Sequence, residues 1–311
     1  MAHVYFLLFA GLLLMFVSGK FLVDSSVAIS RRLKIPRMII GLTVVAFGTS
    51  APELLVSLQA AFSGYPEIAI GNVVGSNISN ILLVLAITAL IFPIPVPASS
   101  VRRDWPIMMG VSVLLFIFSM NGWISRLEGA IFVALLAGYI AYSVVRSRSG
   151  APAETVDEQN GAMLWWVAVI IFLVSVVGLA FGADLLVENA ALIAEKMGMS
   201  KRVVSITMVA VGTSIPEVAT SVIAALKKET DISVGNIIGS NVMNILSVLG
   251  FTSLVSPISV SKEIAGFDIP WMLGISLLLL LLMLPASRSR ITRWKGSFMI
   301  VIYLLYIYLI L

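Results

Sequence analysis

Long apolar runs separated by short polar or basic clusters fill nearly the whole chain. About 20 apolar residues are needed to cross a bilayer as a helix. On that measure the pattern predicts ten spans, at 4–29, 37–62, 67–92, 105–120, 123–145, 163–194, 202–226, 232–256, 269–286 and 296–311. The fourth, ninth and tenth are short. One long polar stretch, 146–161, carries Gly, Pro, Ser and the acids Glu154, Asp157 and Glu158. It reads as a flexible inside linker that divides the chain into an N-terminal half (1–145) and a C-terminal half (162–311). The expected fold class is therefore all-α and polytopic.

Basic residues orient the spans. With the N-terminus outside, the inside loops collect Arg31, Arg32, Lys34, Arg37, Arg102, Arg103, Arg146, Arg148, Lys227, Lys228, Arg288, Arg290, Arg293 and Lys295. The outside loops keep Arg126, Lys196, Lys201, Arg202 and Lys262. This is a positive-inside bias, and it puts both termini outside. The first apolar run is too long for a signal h-region and lacks a basic n-region, so it reads as the first span.

Composition agrees with this picture. The chain is 59% hydrophobic and 12% charged, with a mean hydropathy of +1.07, against about 25% charged residues in soluble domains. The net charge of +4 belongs to the loop clusters, so no nucleic-acid partner is expected; the lipid bilayer is. There is no Cys and a single His, His3, which excludes thiolate and multi-His metal sites.

The two halves repeat one another. Gly48-Thr49-Ser50-Ala51-Pro52-Glu53 returns 164 positions later as Gly212-Thr213-Ser214-Ile215-Pro216-Glu217. At the same offset Thr43 matches Thr207, Ala46 matches Ala210, and Gly71-Asn72 matches Gly235-Asn236. Gly75-Ser76-Asn77 matches Gly239-Ser240-Asn241, Asn80 matches Asn244, and Pro93 matches Pro257. The repeated blocks occupy 41–85 and 205–249. With five spans in each half, the second half enters the membrane upside down. Two inverted five-helix repeats with interrupted second and seventh helices are the layout of a secondary transporter with a midplane site.

The chemistry sits at those interruptions. Pro52 and Pro216 donate no backbone hydrogen bond, so the carbonyls of Gly48 and Gly212 lose their helical partners. In a bilayer a freed carbonyl needs another partner, and lining a cation cavity supplies one. Thr49, Ser50, Thr213 and Ser214 add hydroxyls at the same level. Glu53 and Glu217 add charge, which costs about 2.5 kcal/mol or more at the centre of a membrane helix. Such mixed oxygen ligands suit Na+ and Ca2+, and two ionised glutamates are neutralised by one Ca2+ or by several Na+. Ser76 and Asn80 share a helix face, as do Ser240 and Asn244.

A single proline motif in a membrane helix is more often only a kink, with Ser and Thr bonding back to the preceding turn; its duplication beside a buried Glu favours function. Ser76, Ser240 and the asparagines also fit a role as hydrogen-bonding glue between helices, and glycines four apart allow helices to approach closely. Asp24 and Glu188 lie near span ends and read as solvated or snorkelling. Lys20 and Asp184 read as interfacial or paired. The Trp and Tyr residues fit an aromatic belt.

The G-T-S-x-P-E block followed by G-N-x-x-G-S-N, present twice, resembles the calcium/cation antiporter superfamily, and most closely its prokaryotic sodium/calcium exchangers. The resemblance covers nearly the whole chain. It implies ten helices, with the first and sixth sliding as a pair against a site held by the other eight. It also implies ion ligation by Thr49, Ser50, Glu53, Thr213, Ser214 and Glu217, by the carbonyls of Ala46 and Ala210, and by Ser76 and Ser240. Relatives that depend on potassium carry Asp at the position of Asn80 or Asn244. Asparagine at both places argues against a potassium requirement.

The expected function is exchange of Na+ for Ca2+ by alternating access in a prokaryotic inner membrane, with no cofactor beyond the transported ions. Proton-coupled cation antiport and a passive cation channel are the alternatives. An intramembrane enzyme has no motif to support it: no H-E-x-x-H occurs, and no nucleophile stands beside a base.

Overall fold

The computed structural model describes residues 2–148, 163–196, 214–284 and 290–310. Its helices are α1 (Ala2–Leu33), α2 (Arg37–Thr49), α3 (Ala51–Phe62), α4 (Glu67–Ile91), α5 (Trp105–Ser119), α6 (Arg126–Arg148), α7 (Trp165–Lys196), α8 (Ile215–Leu226), α9 (Thr230–Val255), α10 (Ile264–Met283) and α11 (Arg293–Ile310). Among the described residues seven helices are long and apolar enough to cross a membrane, and α2 with α3 makes an eighth candidate as a pair bent by 41°. The predicted fourth span is the 15-residue α5. The predicted seventh is represented by the 12-residue α8, with residues 202–213 outside the described set. Most of the predicted linker also lies outside it; residues 146–148 continue α6.

Two predicted boundaries move for local reasons. The first helix runs to Leu33 rather than 29, ending where Lys34 adopts φ 55 and the Ile35 N–H reaches back to the Ser30 carbonyl at 3.0 Å. The fifth was predicted to begin at 123, yet Trp123 and Ile124 form a short strand β2 and the helix starts at Arg126. Ser125 and Glu128 explain this start. Glu128 Oε2 accepts the Ser125 N–H at 2.6 Å, and Ser125 Oγ accepts the Glu128 N–H at 3.3 Å, a reciprocal capping box.

Two antiparallel ribbons join the halves: β1 (Ile94–Pro95) pairs with β4 (Arg290–Ile291), and β2 (Trp123–Ile124) with β3 (Ile258–Ser259). Ile94, Ile124, Ile258 and Ile291 are all fully buried there.

Packing is layered around α4 and α9, whose most apolar windows are 72% and 89% buried, against 33% for α1 and α7 and 22% for α11. The outer helices turn their large apolar side chains outward, as a lipid-facing surface requires. α1 and α7 lie against each other through glycine, since a Cβ on Gly11 would stand 2.8 Å from the Gly182 carbonyl oxygen. Glycine also sets α2 against α9: a Cβ on Gly235 would meet the Met38 carbonyl at 2.7 Å, and one on Gly239 the Leu42 Cα at 2.7 Å. Small residues of this kind let helix backbones touch, and this contact brings the end of α2 onto the polar face of α9.

On the lysine-rich side, Asp24 of α1 pairs with Lys227, so the expectation that Asp24 is merely solvated gives way to an ion pair between helices. The half-buried Arg37 pairs with Glu229 at 2.6 Å. Sequence spacing could not reveal either contact, because the partners come from opposite halves.

Candidate functional site

The bend between α2 and α3 falls at Ser50, with φ −84 and ψ 2, and Ser214, which precedes α8, has the same backbone with φ −88 and ψ 1. A 12-residue helix begins after each, with Pro52 and Pro216 in its first turn. Proline is tolerated there because its missing N–H would have no intrahelical partner anyway. Glu53 and Glu217 occupy the same first turn, where the positive end of the helix dipole favours a carboxylate.

Ala46, Thr49, Ser50, Glu53, Ser76, Asn80, Ser214, Glu217, Ser240 and Asn244 are all buried. Ala210 and Thr213, also predicted as site residues, lie outside the described residues. Among the described residues, both oxygens of Glu53 and of Glu217 have no donor at hydrogen-bond distance, and neither do Ser50 Oγ, Ser214 Oγ, Asn80 Oδ1 and Asn244 Oδ1. These atoms form a matched set: each unpartnered oxygen in one half has its counterpart 164 positions away. The two carboxylates lie within electrostatic reach of one another, and Thr49 stands beside Glu217. Buried oxygen acceptors without donors are costly, and these oxygens are of the kind that hard cations take as ligands.

Around these atoms runs a network of amides and hydroxyls. Thr49 Oγ1 donates to Asn236 Oδ1 at 3.1 Å and lies 3.3 Å from Ser240 Oγ. The Ala46 carbonyl accepts the Ser50 N–H at 3.0 Å and lies 3.4 Å from Thr49 Oγ1. Asn72 Nδ2 donates to Ser57 Oγ at 3.1 Å, and Asn236 Nδ2 to Ser221 Oγ at the same 3.1 Å. Between α4 and α9, Asn244 Nδ2 donates to Asn77 Oδ1 at 3.1 Å and Asn80 Nδ2 to Asn241 Oδ1 at 3.5 Å. Asn77 and Asn241 then reach the sulfurs of Met272 and Met108 at 3.7 and 3.6 Å.

The asparagines join the helices, as one of the two expectations has it. Their nitrogens bind the two central helices together, while the oxygens of Asn80 and Asn244 stay unpartnered. Sequence reasoning did not place Ser57, Ser221, Asn72, Asn236, Asn77 or Asn241 at the site. The signal was available for the serines, because each lies four residues beyond a motif Glu on the same helix face and the pair recurs at the repeat offset. Among the described residues no group of three His, Cys, Asp or Glu side chains gathers, so the donor set is carboxylate, hydroxyl and amide.

Comparison with known proteins matches this geometry. The chain is 35% identical to the inner membrane protein YrbG of Escherichia coli over 89% of its own length and 87% of the relative's. It is 32% identical to the sodium/calcium exchanger MaX1 of Methanosarcina acetivorans, over 97% of both chains. A solved structure of the sodium-calcium exchanger NCX_Mj, soaked with Na+ and Sr2+, superposes with a TM-score of 0.83 at 30% identity, covering 99% of this chain and 98% of that one. The family model described as sodium/calcium exchanger protein matches residues 3–145 and 167–311, and the chain belongs to that family of membrane antiporters.

Proposed function

We propose that this protein exchanges Na+ for Ca2+ across the membrane by alternating access, with the ions held at a midplane site. Glu53 and Glu217 supply the charge. Thr49, Ser50, Thr213, Ser214, Ser76 and Ser240 supply hydroxyls, Asn80 and Asn244 amide oxygens, and Ala46 and Ala210 backbone carbonyls. The observation that carries the reading is the matched set of buried, donorless oxygens on Ser50, Glu53 and Asn80 and on Ser214, Glu217 and Asn244. A pair of ionised glutamates carries −2, so one Ca2+ or several Na+ neutralise it, while an empty site is unfavourable to move through the membrane. That difference couples the two ions.

In this reading the chain crosses the membrane ten times as two inverted repeats, 1–145 and 162–311, joined by an inside linker at 146–161, with both termini outside. The basic clusters support the orientation, and the family model's two matched segments and the recurrence of site contacts at one offset support the repeat. The name of the relative YrbG supports placement in a prokaryotic inner membrane.

The test is transport by purified protein in liposomes loaded with Na+, following radioactive Ca2+ uptake while external Na+ is varied. Uptake that needs the outward Na+ gradient, and stops when it is collapsed, is the expected result. Uptake driven instead by a pH gradient would reassign the coupling ion. Uptake needing neither gradient would make the protein a channel.

A further inference from the structure

Asn236 touches the proposed site without belonging to its donorless oxygens, and its orientation is what counts. Its side-chain oxygen accepts the Thr49 hydroxyl at 3.1 Å while its nitrogen donates to Ser221 Oγ at 3.1 Å. A hydroxyl could take part in either direction, so Ser221 alone does not fix which end of the amide faces Thr49. The first half supplies the argument by repeat. There Asn72 Nδ2 reaches both Ser57 Oγ at 3.1 Å and the Glu53 carbonyl oxygen at 3.4 Å. A carbonyl only accepts, so nitrogen must lie on that side of Asn72, and Asn236 has the same arrangement towards Ser221.

The consequence falls on Thr49. A threonine hydroxyl has one proton and two lone pairs. The Thr49 proton has several acceptors around it, among them Asn236 Oδ1 at 3.1 Å, the Ala46 carbonyl at 3.4 Å and the Glu217 carboxylate; with the proton on Asn236 Oδ1, Thr49 offers lone pairs to the space beside Glu217. Without Asn236, that proton would turn to the Glu217 carboxylate or the Ala46 carbonyl, occupying one of the acceptor positions a cation needs and setting a positive hydrogen against it. We propose that Asn236 is a positioning residue, which keeps Thr49 an acceptor towards the transported cation by holding its hydroxyl proton. The inference rests on the ion-site reading above. It assigns Asn236 a role in cation affinity beyond that of joining α9 to α8.

A double-variant cycle in proteoliposomes tests it, with KM for Ca2+ and maximal exchange rate read separately. Asn236→Leu is expected to raise KM about tenfold while the maximal rate stays within about threefold. Thr49→Val should raise KM comparably. In the Thr49→Val background Asn236→Leu should add less than about twofold, because no hydroxyl proton remains to be held. Full multiplication of the two effects would overturn the proposal. So would a silent Thr49→Val, or an Asn236→Leu that lowers only the maximal rate.

Ser221→Ala provides a milder route should Asn236→Leu fail to fold. It removes the hydroxyl that Asn236 Nδ2 bonds to, and its expected KM increase of about threefold should likewise vanish when Thr49 is Val; persistence of that increase would overturn the proposal. Glu53→Gln and Glu217→Gln separate the two levels. If exchange survives both, the ion-site reading falls. If they abolish exchange while the Thr49–Asn236 cycle is multiplicative, only the positioning role falls.

Discussion

The turn after α3 and the turn after α8 share one backbone and differ in their side chains. In the first, the Tyr65 N–H reaches the Ala60 carbonyl at 2.9 Å and Gly64 carries φ 89. In the second, the Glu229 N–H reaches the Ala224 carbonyl at 2.8 Å and Lys228 carries φ 63. Where the first turn reads Ser63-Gly64-Tyr65, the second reads Lys227-Lys228-Glu229. Lys227 pairs with Asp24 and Glu229 with Arg37, whereas Ser63 and Tyr65 carry no charge. At the middle of the molecule Ser50, Glu53 and Asn80 match Ser214, Glu217 and Asn244, each with side-chain oxygen that has no donor among the described residues. At the ends they part, and only the lysine-rich side has these two ion pairs. Chemistry that both halves must share is duplicated; chemistry that one membrane face alone needs is not.

The strongest attempt to break this comparison is made at the middle. Glu53→Gln and Glu217→Gln should each weaken Ca2+ binding by at least about a hundredfold, the scale of losing one partner from a buried charge cluster. Equilibrium binding of radioactive Ca2+ to purified protein checks this. If one variant binds normally, the halves are not equivalent where the match is closest.

The ends come next. Arg37→Met should lower stability by about 1–2 kcal/mol, between the values for exposed and buried pairs, as read by thermal unfolding in detergent. Arg37→Glu combined with Glu229→Arg should recover much of that loss. The turns themselves differ by less. A lysine at positive φ costs about 1 kcal/mol relative to glycine, so Lys228→Gly should stabilise and Gly64→Lys should destabilise by about that much. Asp24→Asn sits at the bottom of the scale. Its pair is more exposed, with side chains 28% and 41% accessible, and the loss should be about 0.5 kcal/mol and vanish at high salt.

Much of this was legible in the chain, because a repeat at fixed offset is a property of sequence. Pro52 and Pro216 gave the positions of the broken helices, and the glutamates beside them gave the charge. Gly235 and Gly239 announced a close helix contact, although not that α2 would fill it. What stayed hidden depends on which elements meet. Asn236 reaches Thr49 only because α9 packs on α2, and Asp24 finds Lys227 only because α1 runs beside α8. Trp123 and Ile124 look like the start of a span by hydropathy, but the capping pair Ser125 and Glu128 stops the helix short of them, leaving both for the ribbon. The serine partners Ser57 and Ser221 lie one helical turn beyond the motif glutamates, where only the helix period, and no motif residue, marks them.

The length of two helices has a consequence for the surroundings of the protein. α1 and α7 each run for 32 residues, about 48 Å at 1.5 Å per residue, while the hydrocarbon core of a typical bilayer is about 30 Å thick. Both present most of their apolar surface to lipid and are locked together at Gly11 and Gly182. They can meet this mismatch only by tilting together or by projecting past the headgroups. The charged ends, Arg31 and Arg32 of α1 and Glu188 and Lys196 of α7, suit the projecting part, so the pair can fit bilayers of different thickness by changing how far it emerges.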